Sequence, residues 1–104
     1  MAKYRVDVSD PAEEDLRDIL RYISSQLSAP ITAMKMIDTI EEALTGLADM
    51  PDSYPLVRDD RLASMGYHRL EVKNYSVFFT INKKEKVVDV ERILYARRDW
   101  ANLL

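Results

Sequence analysis

The sequence predicts an α+β fold of the order strand, helix, helix, strand, strand, strand, with an antiparallel two-helix hairpin on one face of a small, mainly antiparallel sheet. Three observations lead there. Apolar residues alternate at the N-terminus, then recur at spacings of three and four with one break at Ser28-Ala29-Pro30. After Gly66, three alternating runs follow, separated by short polar turns.

Each element has a local cause. Tyr4, Val6 and Val8 alternate with Lys3, Arg5 and Asp7, the pattern of a strand with one buried face. Asp10-Pro11-Ala12-Glu13 reads as an N-cap followed by Pro at the first helical position, with acidic side chains answering the orphan amides and the helix dipole. Ala12, Leu16, Ile19, Leu20, Ile23 and Leu27 then form one apolar stripe, so the first helix should reach about Leu27. Pro30 restarts the chain. Ala33, Ile37, Ile40, Leu44 and Leu47 carry a second helix to about Asp49, stopped by Pro51. The short joint makes the pair a hairpin. Residues 51–66 hold neither period and contain Pro51, Asp52, Ser53 and Pro55, so they read as one long loop. Strands are expected at about 67–72, 75–82 and 87–95, with hairpin turns at Lys73-Asn74 and 82–86.

The chain has 104 residues, enough for one domain spanning 1–104 that buries roughly two-thirds of its unfolded surface, and too few for two cores. Apolar residues make up 47% and charged residues 32%, which argues against disorder. There is no Cys, hence no disulfide frame and no thiolate metal site. No apolar leader and no run near about 18 apolar residues occurs, so a soluble, cytoplasmic protein without a membrane partner is expected. Charge is uneven. Residues 1–52 carry five Lys and Arg against eleven Asp and Glu, and residues 53–104 carry ten against seven. An anionic partner would meet the second half.

Two helices cover one face of a sheet, so strand parity predicts what the other face holds. Leu70, Val72, Tyr75, Val77, Phe79, Ile81, Val88 and Val90 fall on the helix side. With no β-bulge, the bare side collects Tyr67, Arg69, Glu71, Ser76, Phe78, Thr80, Asp89, Glu91, Ile93, Tyr95 and Arg97; an extra residue in the last strand would exchange Ile93, Leu94 and Tyr95. Arg92, Arg97 and Arg98 crowd the end of that strand. Such cations suit phosphate oxygens, and Phe78 or Tyr95 could stack on an unpaired base. Pairing of these Arg with Asp89, Glu91 and Asp99 on a solvated surface is the competing interpretation. No Gly-rich phosphate loop, HExxH or Ser-His-Asp set is present, so neither cofactor nor metal is expected. His68 reads as a partly buried structural residue, Met34, Met36 and Met50 as core filler, and Glu13, Glu14, Asp15 and Asp18 as solvated capping devices.

The pieces resemble a known family. The Ala12-Glu13-Glu14-Asp15-Leu16 opening of the first helix, Tyr22-Ile23 and the ending Leu47-Ala48-Asp49-Met50-Pro51 are similar to the RelE/ParE superfamily of bacterial toxins, also called plasmid-stabilisation proteins. So, more strongly, are Gly66-Tyr67-His68-Arg69-Leu70-Glu71-Val72, 74–81 and 90–99, which ends in Arg97-Arg98-Asp99. The likeness spans essentially the whole chain. It implies the toxin of a type II toxin-antitoxin pair, neutralised by a cognate antitoxin. RelE-like members cut mRNA on the ribosome without metal, driving the 2′-hydroxyl onto the adjacent phosphate, and ParE-like members inhibit DNA gyrase without chemistry of their own. Ribosome-dependent cleavage is the first expectation and gyrase inhibition the alternative, with a degenerate antitoxin binder third. Cleavage needs a base, cations and an acid around one phosphate. By resemblance Arg69 and either Arg97 or Arg98 steady that phosphate, and Tyr95 stands where many members have His; Glu91 or Glu71, on the same face by parity, could take the base role. Arg98, Arg92, Phe78, Arg58 and Arg61 would bind the RNA.

Overall fold

Ser9 closes the first strand and opens the first helix. In the computed structural model, which describes residues 3–104, β1 (Arg5–Val8) leads into α1 (Asp10–Arg21) and a π turn (Tyr22–Gln26). Helix α2 (Pro30–Gly46) returns, followed by a 3₁₀ turn at Pro51–Ser53, α3 (Asp60–Ser64), β2 (His68–Val72), β3 (Tyr75–Asn82), β4 (Val87–Tyr95) and a 3₁₀ turn at Trp100–Asn102. The N-cap is Ser9, one residue before the expected Asp10: its Oγ accepts the Ala12 amide at 3.1 Å while donating to the Glu91 carbonyl at 2.9 Å. One hydroxyl thus caps the helix and ties it to the last strand.

The sheet has four strands in the order β1-β4-β3-β2, with β1 parallel to β4 and the other pairs antiparallel. The first strand therefore closes on the last. Ala12, Ile19, Ile23, Ala33, Ile40, Leu44 and Leu47 of the helical hairpin pack against Val72, Val77, Phe79, Val88 and Val90 of the sheet, the set that parity assigned to this side. Leu27 departs from its expected place on the stripe. The π turn inserts an extra residue, with the Leu27 amide donating to the Tyr22 carbonyl five residues back, and leaves Leu27 exposed. Met34 and Met50, expected in the core, are 56% and 68% exposed, and Met36 alone of those three packs inward. His68 keeps its expected structural role: Nδ1–H donates to the Tyr54 carbonyl at 2.8 Å and the ring stacks on Phe79.

A β-bulge decides the two faces. Phe78 pairs with Arg92 but Phe79 pairs with Val90, so Glu91 is the extra residue on β4. Beyond it the parity inverts. Ile93 packs into the helix-side core and Tyr95 lies beside Tyr75, whereas Leu94 joins Phe78 on the opposite face. The assignment of Ile93 and Tyr95 to the bare side is thereby corrected.

That side is not bare. Val57, Leu62, Phe78 and Leu94 form a second buried cluster, flanked by Tyr67, Trp100, Leu103 and Leu104. The long loop supplies one part of the cover, because Asp59 caps α3 through the Leu62 amide at 3.0 Å and turns Leu62 inward. Leu56 bridges to His68 and extends the sheet edge. The C-terminal turn supplies the rest. Among the described residues no helix is long and apolar enough to cross a membrane.

Candidate functional site

Arg69 enters the second face from the middle of β2, where register sets it opposite Phe78. Its Nε donates to Ser76 Oγ at 2.9 Å, and Nη2 reaches the Ala96 carbonyl at 3.4 Å and Glu71 at 3.5 Å. The guanidinium lies 5.6 Å from the Phe78 ring centroid and 5.2 Å from that of Trp100. Phe78 is fully buried and contacts Trp100 at 5.2 Å between centroids, so its ring offers no free surface to a base. The expected stacking role of Phe78 is corrected accordingly. Arg69 is a rivet between sheet and C-terminal turn.

Glu91, the bulge residue, accepts the Thr80 hydroxyl at 3.0 Å. Burial, with the Glu91 charge second, pushes the Tyr67 phenol above its ordinary range and keeps it protonated. Arg61 donates to the Ala101 carbonyl at 3.4 Å, again across to the C-terminal turn. Arg58 is exposed on the loop and makes no side-chain contact of this kind among the described residues.

Arg92 takes none of the partners expected for it. Its Nε and Nη2 grip both carboxylate oxygens of Asp15 at 2.8 and 2.9 Å, while Nη1 donates to the Leu103 carbonyl at 3.2 Å. Hydrogen bonding to Asp15 raises the guanidinium pKa further, so the charge is permanent. Asp15 also accepts the Ile93 amide at 2.9 Å, satisfying backbone that β1 is too short to reach. At 7% exposure Asp15 is a buried anchor and not the solvated capping residue expected from its neighbours.

Tyr95 and Arg98 lie on the helix side, at a groove of about 670 Å³ between the hairpin tip and the ends of β3 and β4. Tyr22, Ile23, Tyr75 and Ile93 are among its walls. The Tyr75 and Tyr95 rings meet edge to face at 5.9 Å. Burial, with the nearby Tyr22 and Tyr95 adding to it, raises the Tyr75 phenol pKa and keeps it neutral. Arg97 follows Tyr95 by two residues and is exposed. The sheet therefore separates Tyr95 from Arg69 and Glu91.

A sequence model described as ParE toxin of the type II toxin-antitoxin system parDE matches residues 6–100. The chain belongs to the ParE toxin family. No match is found among curated proteins. In three dimensions this ParE family toxin is similar to the chromosomal ParDE system of P. aeruginosa, with a TM-score of 0.76 and 19% identity over 93% of this chain and all (100%) of that one. It is also similar to the RelBE2 toxin-antitoxin complex of Mycobacterium tuberculosis, at 0.62 and 17% identity over 89% and 98% of the two chains. A mutant E. coli RelE toxin in the free state gives 0.65 and 12% over 97% and 92%. At these identities the likeness is one of fold, the RelE/ParE-like α+β layout.

Sequence reasoning missed Asp15 and Trp100. Asp15 sits between Ala12 and Ile19 at helical spacing, so it shares the apolar stripe, and a charge in that register calls for a buried partner. Trp100, with Leu103 and Leu104 nearby, makes an apolar tail that needs a surface to cover.

Proposed function

We propose that this toxin of a type II toxin-antitoxin system arrests growth by binding DNA gyrase and cuts no RNA itself, and that a cognate antitoxin holds it inactive. One observation carries the proposal: Phe78, at the centre of the face that RNA would need, is 0% exposed and covered by the toxin's own α3 and C-terminal turn. Metal-independent cleavage requires a base, an acid and cations at one phosphate. Arg69 is held between two rings, Glu91 is engaged by Thr80, and Tyr95 lies across the sheet. These placements on two sides of the sheet support the reading that the three do not meet on one phosphate. The ParE family match supports gyrase as the target, and the toxin-antitoxin relatives support an antitoxin partner.

The test uses the purified toxin in two assays. Supercoiling by gyrase should fall with toxin concentration, while translated mRNA on ribosomes stays full length. Codon-phased cuts in that mRNA, with gyrase unaffected, would overturn the proposal.

A further inference from the structure

We infer that the toxin grips gyrase with the acidic-rimmed groove between α1 and α2 beside the end of β1, and that this groove takes one or two aliphatic side chains from a Lys- and Arg-rich surface of the enzyme. The inference rests on the reading above that gyrase is the target.

The two helices close imperfectly. Leu16 and Leu20 of α1 and Ile37 and Leu44 of α2 line a groove of about 330 Å³, with Glu13 and Glu41 facing each other across it. That volume lies at the small end of ligand clefts, roughly 300–1,000 Å³, and admits side chains rather than a whole helix. The apolar strip does not stop at the groove. Ile31, Met34, Ile37, Glu41 and Leu44 recur at spacings of three and four, so they share one face of α2. Ile31 and Met34 are 74% and 56% exposed, which carries the strip past the groove toward the Pro30 end of the helix. Their burial contributes nothing to this fold, and side chains of that kind in a row mark a surface meant for a partner.

Charge selects the occupant. Arg17, the cation on the groove wall, is already bound to Glu14 at 2.8 Å, and Arg21 is bound to Glu14 and Asp18. Glu13 and Glu41 on the rim are exposed and, like Asp10, Asp38 and Glu42 on the same two helices, make no side-chain ion pair or side-chain hydrogen bond among the described residues. Against these five carboxylates stands one unpaired cation of the hairpin, Lys35. The uncompensated field over the apolar strip is therefore negative, and a basic surface with aliphatic anchors complements both features. An enzyme that holds and passes DNA carries such surfaces, because gripping a polyanion requires clustered Lys and Arg. The acidic half of the chain, which repels nucleic acid, thereby becomes the half that meets a nucleic-acid-handling protein.

The test passes the full toxin chain over immobilised gyrase holoenzyme and measures supercoiling in parallel. Three variants at exposed positions, each checked by thermal melts, read the groove. Met34→Gln, which keeps length and removes apolar contact, should weaken binding roughly fivefold. Glu41→Lys should weaken it about tenfold and flatten its salt dependence. Lys35→Glu should tighten it about threefold, a gain that misfolding cannot imitate. Affinity within twofold of the unaltered chain for Met34→Gln and Glu41→Lys, or weaker binding by Lys35→Glu, would overturn the inference while leaving gyrase as the target. So would intact gyrase inhibition in variants that lose affinity for the protein encoded by the adjoining gene, since the strip would then belong to the antitoxin. Unaltered toxin that neither binds gyrase nor slows supercoiling would overturn the target assignment and the inference together.

Discussion

Replacing Asp15 by Asn removes one charge and almost no volume at the junction of α1, β4 and the C-terminal turn. The Asp15 carboxylate accepts three hydrogen bonds, two from Arg92 and one from the Ile93 amide, all at 2.8–2.9 Å. Breaking a fully buried ion pair costs about 3–5 kcal/mol. Here the Arg92 side chain retains 25% exposure, so water takes up part of its charge, and the Asn oxygen can still accept the Ile93 amide. The expected loss is about 2–3 kcal/mol, which for a chain of this length lowers the melting midpoint by roughly 10–20 °C. Urea and thermal melts followed by circular dichroism measure it. A double-mutant cycle with Arg92→Met isolates the pair, and its coupling energy should exceed about 1.5 kcal/mol. A loss below about 0.5 kcal/mol, or a coupling energy of zero, would refute the reasoning, because the carboxylate would then hold neither strand edge nor guanidinium.

Three further outcomes are expected. Ser9→Ala loses both the α1 cap and the tie to Glu91, and should cost about 1–2 kcal/mol in urea melts. Arg69→Ala frees the C-terminal turn: fluorescence of Trp100, the single Trp, should shift to the red and become more accessible to acrylamide, with about 1–2 kcal/mol of stability lost. Burial raises the phenol pKa of Tyr67 and Tyr75 in the folded state, so in an ultraviolet titration two of the six Tyr should ionise later than the rest. Unfolding returns those two to the ordinary range near 10, so stability is intact below that pH and falls as pH rises through the folded values. Tyr75→Phe should flatten part of that fall.

The layout was legible because its signals are local. Val6 and Val8 alternate, Ala33, Ile40 and Leu44 repeat at helical spacing, and Lys73-Asn74 makes a two-residue turn, each fixed by neighbours in sequence. The far ends of the site depended on events that sequence spacing does not encode. One extra residue at Glu91 moved Tyr95 to the other side of the sheet, and no propensity marks that bulge. The cover over Phe78 comes from residues 57–67 and 100–104, two stretches without a period long enough to announce a surface. Arg69 was singled out correctly as a residue of that face, but its rings and carbonyls belong to distant segments, so its neighbours became visible only in three dimensions.

Proton NMR of the free toxin probes the closed face most directly. Cross-relaxation between the Phe78 ring, the Trp100 indole and the Arg69 δ-methylene should be strong, and should persist unchanged when a short RNA is added in excess. A C-terminal turn with free-chain chemical shifts, or a Phe78 ring whose resonances move on titration with that RNA, would contradict the account.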